Sequence, residues 1–232
     1  HTTRGEQMEE LRIATEDGLV NSFESDKFAE VSYGMLNTSK PPFDNKDCRL
    51  AAAHGLDREL LNDTSNLGVT QVANGPFAPG NMGFLEDNGY PAYDVDAAKE
   101  FAAACKEAIG EDLSFVLTVA NNSQTTATGQ LIQEMAKEFG VEVELKPVPQ
   151  SELIDLAIAG DFEAVSFRLY PGGEPDDNYI FWTNGSPVNF GRIEDDTLTG
   201  LMEQGRVSSD EAERTQIYED VNRRFASEAY NI

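Results

Sequence analysis

The chain has 232 residues, and its 17 Lys and Arg stand against 42 Asp and Glu, a formal charge of −25. Nucleic-acid phosphate and anionic membrane surfaces need clustered positive charge, so both are excluded as partners. At 40% hydrophobic the chain can build a core, and no stretch approaches the roughly 18 consecutive apolar residues of a membrane span.

Residues 5–16 read as a helix with acidic residues early, where the helix dipole favours them. Before them there is no basic stretch followed by an apolar one, and no starting Met, so the chain is expected to be a processed or excised piece. Residues 28–37, rich in β-branched and aromatic side chains, predict a strand. Pro41-Pro42 must turn the chain, and Asp44 or Asp47 can then cap a helix through Cys48 to His54. Asp57 is expected to cap a second short helix over 58–61. Glycines and prolines break every period from 62 to 93, which predicts an ordered but irregular crossing segment.

From Asp94 onward the pattern is regular. Ala97, Ala98, Phe101, Ala102 and Cys105 share one face of a helix that Asp94 caps. Strands at 113–120, 141–146 and 163–169 alternate with helices at 126–139 and 151–159. Gly140 and Gly160 stand just past those helices, where a left-handed residue belongs. Two successive strand–helix–strand units predict an α/β fold with a mostly parallel sheet flanked by helices. Ser208 and Glu211 form a capping box for a last helix that carries Ile217, Val221 and Phe225.

Ligands of open parallel sheets bind outside the carboxyl ends of the strands. Two loops stand there. Residues 121–125, led by Asn121 and Asn122, are all uncharged and polar and run into a helix N-terminus, whose N–H groups can hold an anion. The preferred reading, however, is an ordinary polar connection with a cap. Residues 168–177 combine Arg168, Tyr170, Gly172, Gly173 and Glu174 with two further acids, and this loop is the favoured binding candidate. His54 lies in an alanine-rich helix and reads as packing; Trp182, in the run 179–182, reads as core. The acids at 176–177 and 194–196 are explained by capping and solvation. No nucleophile elbow, zinc-protease helix or phosphate loop is present, so no enzyme, metal site or cofactor is expected. Cys48 and Cys105 are either two buried thiols or one bridge; pairing would stabilise the fold by about 4 kcal/mol on the chain-entropy view.

Several short motifs fall in a familiar order: Asn37-Thr38, Pro41-Pro42-Phe43-Asp44, Arg49-x-Ala51, Asp57-Arg58-Glu59, then Tyr93-Asp94-Val95-Asp96-Ala97-Ala98-Lys99. Phe139-Gly140-Val141-Glu142-Val143, Glu174-Pro175-Asp176 and Glu213-Arg214-x-x-x-Tyr218 continue it. Together they resemble extracellular solute-binding proteins of the peptide/nickel family, the receptor subunits of ABC importers, over nearly the whole chain. The resemblance implies a periplasmic-binding-protein-like lobe. Residues 1–232 would be one α/β lobe, the second of two that close on a solute. It further implies a monomer at the outer face of the cytoplasmic membrane or in the periplasm, with a peptide or other small solute and ABC permease subunits as partners. Such a compartment permits disulfides, so Cys48 and Cys105 are expected to pair.

In peptide-binding members an aspartate four residues before the proline of the acidic-Pro motif holds the peptide amine. Here Pro171 stands at that place, and Arg168 stands where an aromatic is common. Arg168 suits a ligand carboxylate instead, with Tyr170 giving a ring contact and Gly172 and Gly173 allowing close backbone approach. The rival readings are a ligand sensor or peptide chaperone on the same fold, a hydrolase using the carboxylates of 174–177, and a stand-alone interaction domain.

Overall fold

The computed structural model describes residues 5–25, 27, 30–169 and 173–232. Its one sheet joins β1 (Val31–Leu36), β2 (Ser114–Ala120), β3 (Glu142–Val148) and β4 (Ala164–Leu169) in the order β1-β4-β2-β3. β2 runs parallel to β3 from Ser114↔Glu142 to Ala120↔Val148, and parallel to β4 at Leu117↔Ala164. β1 is antiparallel to β4, Val31 facing Leu169. The carboxyl ends of β2, β3 and β4 therefore share one edge with the start of β1. The outer edge of β1 is paired in turn: Gly34 and Ile232 exchange N–H···O bonds of 2.6 and 2.9 Å.

The helices follow as α1 (Gly5–Glu16), α2 (Lys46–Gly55), α3 (Arg58–Asn66), α4 (Val95–Ile109), α5 (Ser123–Glu138) and α6 (Gln150–Ala159), then α7 (Tyr179–Trp182), α8 (Asp196–Val207) and α9 (Glu211–Glu228). Side chains alternate across a strand, so each face of the sheet needs its own cover. Phe115, Leu117 and Val119 of β2 meet Ala136 of α5, with α2 and α4 on the same face. Met35, Val148 and Val165 point the other way and meet Leu153 and Ala157 of α6. The chain thus winds over both faces, as the two strand–helix–strand units predict.

Cys48 of α2 and Cys105 of α4, 57 positions apart in sequence, form a disulfide with Cα atoms 4.9 Å apart. A third cluster gathers Phe77, Trp182, Leu198, Met202, Tyr218, Val221 and Phe225 around the antiparallel α8–α9 pair. The irregular segment is fastened to this pair by Asn222, which donates to Gly83 O at 2.9 Å and accepts from Asn88 at 2.8 Å. Trp182 is core, and His54 packs flat on Phe101 with its Nδ1 2.9 Å from Ala92 O.

Several boundaries differ from expectation. Neither Asp44 nor Asp47 caps α2. Asn45 does, accepting from the N–H groups of Asp47 and Cys48 at 2.8 and 3.3 Å, which leaves Asp47 in the first turn. α3 continues to Asn66 rather than stopping at 61, because Ser65 bonds Thr128 of α5 at 2.8 Å and Asn62 reaches Thr70 O at 2.8 Å. The irregular crossing therefore begins at 67. α5 starts three residues before 126, capped by Asn122. α9 is capped by Asp210, not Ser208: Asp210 accepts from Glu213 N–H at 2.8 Å, while the Ser208 hydroxyl bonds the Glu213 carboxylate. The strand expected over 28–37 is seen as Val31–Leu36; residues 28 and 29 lie outside the described residues. Among the described residues, no helix is long and apolar enough to cross a membrane.

Candidate functional site

The carboxyl edge of the sheet carries Asn121 and Arg168 among the described residues. Asn121 follows β2, and its N–H bonds Val148 O at 2.8 Å, stitching the ends of β2 and β3 together. Its side chain is exposed. Asn122 accepts from Thr125 N–H at 3.1 Å, and the Thr125 hydroxyl bonds Ala120 O. Asn122 is thus engaged as a helix cap, while Asn121 faces solvent.

Arg168 sits near the end of β4, directly across from Ser32 of β1. Its side chain is 64% exposed, and its Nη1 lies 3.4 Å from Oε2 of Glu30, whose side chain is 31% exposed. Sequence reasoning missed Glu30, since nothing local marks a partner 138 residues away. Tyr170 and Gly172, with Pro171 between them, lie outside the described residues. Gly173 is exposed, and a Cβ there would meet nothing within 4 Å, so packing does not demand a glycine.

Glu174 is held from two sides. Its carboxylate accepts from Asp176 N–H at 3.4 Å, capping a 3-10 turn over Pro175–Asn178. It also receives both terminal nitrogens of Arg214 from α9, at 2.5 and 3.4 Å, while Arg214 Nε donates to Gly205 O at 2.9 Å. Asp176 pairs with Arg206 of α8 at 3.3 Å, and the Arg206 guanidinium lies 4.1 Å from the centre of the Tyr179 ring. Burial pushes the Asp176 carboxyl above its ordinary value, with Arg206 opposing. Two arginines from the α8–α9 pair therefore clamp the acids at the base of the loop. The Glu213-Arg214-x-x-x-Tyr218 motif was visible in sequence, but its partner in the loop was not.

A second assembly stands at the other end of the same helix pair. Asp195 caps α8 through the N–H groups of Thr197 and Leu198 at 2.8 and 3.2 Å. Its second oxygen accepts from Arg224 Nε and from the Tyr230 hydroxyl, both at 2.6 Å. Glu228 joins Arg224 at 3.1 Å and the buried Arg49 at 3.5 Å. Burial raises the Asp195 carboxyl, but the hydrogen bonds from Arg224, Tyr230 and Leu198 outweigh it and hold it below its ordinary value. A polar cleft of about 490 Å³ opens beside this network, at Thr38 where β1 has ended, and so away from the carboxyl edge of the sheet. Its charges serve one another. Among the described residues, no group of three or more His, Cys, Asp or Glu is placed to hold a metal ion.

Residues 6–191 match the family described as "Bacterial extracellular solute-binding proteins, family 5 Middle". The di/tripeptide-binding protein 2 of Pseudomonas aeruginosa (strain UCBPP-PA14) is 25% identical over 205 residues, covering 84% of this chain and 38% of its own length. The ABC transporter substrate-binding protein CtaP of Listeria monocytogenes superposes with a TM-score of 0.83 at 23% identity, over 95% of this chain and 46% of its own. The oligopeptide-binding protein AppA of Bacillus subtilis, solved in complex with a nonapeptide, gives a TM-score of 0.78 at 22% identity, over 87% of this chain and 44% of its own. The chain therefore spans less than half the length of each of these relatives.

Proposed function

Since the chain belongs to the family 5 bacterial extracellular solute-binding proteins, we propose that it is one lobe of an importer's receptor. That receptor captures a short peptide outside the cytoplasmic membrane by lobe closure and hands it to an ABC permease. The observation that carries this reading is the likeness to a di/tripeptide-binding protein along 84% of the chain. The open carboxyl edge of the sheet supplies a wall for the cleft. On it, Arg168 takes a ligand carboxylate by a charge-assisted pair, Asn121 offers an uncharged polar group, and Gly173 admits the ligand backbone. Tyr170 and Gly172 stand between Arg168 and Gly173 in sequence and are proposed for the same site. Asn122 and Glu174 act one step behind, as the cap of α5 and the anchor of the loop.

Binding rather than turnover is the task proposed. Glu174 and Asp176, the acids that a hydrolase would need free, are each engaged by an arginine, and among the described residues no nucleophile with a base and an orienting group stands beside them. Native mass spectrometry of the complete mature protein, purified gently from its host, tests the reading. A co-purified mass that fragments as a short peptide is expected. A non-peptide acid or chelate in its place would overturn the peptide assignment.

A further inference from the structure

We infer that Asn184 is a self-modification site, at which the backbone nitrogen of Gly185 displaces the side-chain amide of Asn184 and leaves a cyclic imide that water opens. The sequence carries three Asn-Gly pairs, at 74–75, 88–89 and 184–185. A glycine after asparagine leaves its nitrogen open to the side chain, because no Cβ stands in the way. At 184 the fold adds three groups to this local chemistry. The N–H of Gly185, an exposed residue with φ of 70°, points at Glu194 Oε1 3.4 Å away, so a carboxylate stands where its proton must go. The N–H of Asp195 donates to Asn184 Oδ1 at 2.7 Å, where negative charge gathers when the amide carbon is attacked. Asp196 Oδ1 accepts from Asn184 Nδ2 at 2.9 Å and orients the nitrogen that departs. Asn184, Glu194, Asp195 and Asp196 all line the polar cleft of about 490 Å³, through which water reaches them.

Each step balances with water as the one co-reactant. Glu194 takes the proton from Gly185 N as that nitrogen bonds to Asn184 Cγ. The Cγ–Nδ2 bond then breaks, and the nitrogen leaves as ammonia with the proton that Glu194 returns to it. Water adds to either imide carbonyl, which gives aspartate or, by the other opening, a main chain that runs through the side-chain carboxyl as isoaspartate. Either product loses the donor to Asp196 and sets a new carboxylate beside Glu194 and Asp196, at the start of α8. The other two pairs are enclosed. Asp87 Oδ1 lies 3.0 Å from Gly89 N–H, so a base is present at 88. Asn88 is only 6% exposed, however, and its amide nitrogen is tied to Asn74 O at 2.7 Å and to Asn222 Oδ1 at 2.8 Å. Losing that nitrogen would strand buried acceptors. Asn74 is held by the carbonyls of Leu85 and Glu86 at 3.3 and 2.6 Å.

The test ages the complete mature protein in mildly alkaline buffer, folded and in concentrated urea, and follows the three asparagines by peptide mapping with mass spectrometry. Unfolded, all three pairs share the same local chemistry and should convert at similar rates. Folded, Asn184 is expected to convert faster than it does in urea, to a mixture of aspartate and isoaspartate, while Asn74 and Asn88 fall well below their unfolded rates. Glu194→Gln should slow the folded reaction at 184 about tenfold, less than a closely positioned base supplies because the contact is long at 3.4 Å. The same variant should leave the rate in urea unchanged, and since Glu194 is exposed its circular dichroism should match the parent. An Asn184 that converts more slowly folded than unfolded would overturn the inference, because the three contacts would then protect the amide. So would an unchanged folded rate in Glu194→Gln, or conversion of Asn88 ahead of Asn184.

Discussion

The α8–α9 pair ends in an acid–arginine assembly on each side, and the two are built differently. At one end Asp195 is 6% exposed by side chain and receives four hydrogen bonds, from Arg224, Tyr230 and two backbone N–H groups. At the other end Glu174 and Asp176 meet Arg214 and Arg206 in partial solvent. Their carboxyl groups are driven in opposite directions: Asp195 lies below its ordinary value and Asp176 above it. A full set of donors outweighs desolvation in the first case; in the second a buried Asp176 oxygen has no hydrogen-bond donor, and desolvation wins. The satisfied end fixes the fold, and the other end holds a loop beside the open edge of the sheet at less cost to rearrange.

Breaking the satisfied end should have the largest effect. Asp195→Asn retains the shape and one acceptor but leaves Arg224 and Glu228 without their balance, and a loss of about 3 kcal/mol in urea unfolding is expected. The pH dependence follows from the sign of the shift. A carboxyl depressed in the folded state contributes its stability fully above the unfolded-state value and loses it as pH falls through the folded one. Acid unfolding of the parent should therefore steepen below about pH 4, and Asp195→Asn should flatten that limb. An unchanged acid limb would mean that Asp195 is not the group that titrates there.

The same contrast explains what could be read from the sequence. The α4 helix and the alternation from β2 to β4 were legible because their signals are local: an Asp94 cap, one apolar helix face, glycines at Gly140 and Gly160 in the left-handed region. Helix α3 was cut short because Asn62, Asp63, Thr64, Ser65 and Asn66 are weak helix formers, carried by contacts to Thr128 and Thr70 that no local pattern announces. The caps at Asn45 and Asp210 were missed by one or two residues, since good capping side chains crowd both places. Arg168 was legible as a cation at the end of a strand. Its partner Glu30, and the arginines behind Glu174 and Asp176, were not, because tertiary pairing carries no sequence period.

A middle-sized effect should come from the partly exposed end. Arg214→Ala removes both bonds to Glu174 and the one to Gly205 O, and a loss of about 1.5 kcal/mol is expected. Arg214→Lys should recover less than half of it, because one ammonium cannot reproduce the two-pronged contact. A double-mutant cycle with Glu174→Gln separates the pair from the Gly205 contact: coupling of about 1 kcal/mol is expected between 174 and 214. Coupling near zero would mean that Arg214 acts through α8 alone, and that Glu174 is free for a ligand.

The smallest effect on stability belongs to the pair at the open edge. Arg168→Gln and Glu30→Gln should each change thermal unfolding by less than about 0.5 kcal/mol, which distinguishes this exposed pair from one that holds the fold. Salt separates the ends further. Between 0.1 and 1 M the screening length falls from about 10 to about 3 Å, so the coupling between Glu30 and Arg168 should vanish while the Asp195 network, shielded from solvent, keeps its own. Over the same range the fold as a whole should gain stability, because its net charge of −25 no longer repels itself. A Glu30–Arg168 coupling that survives at 1 M would place the pair in a drier setting than its exposure implies.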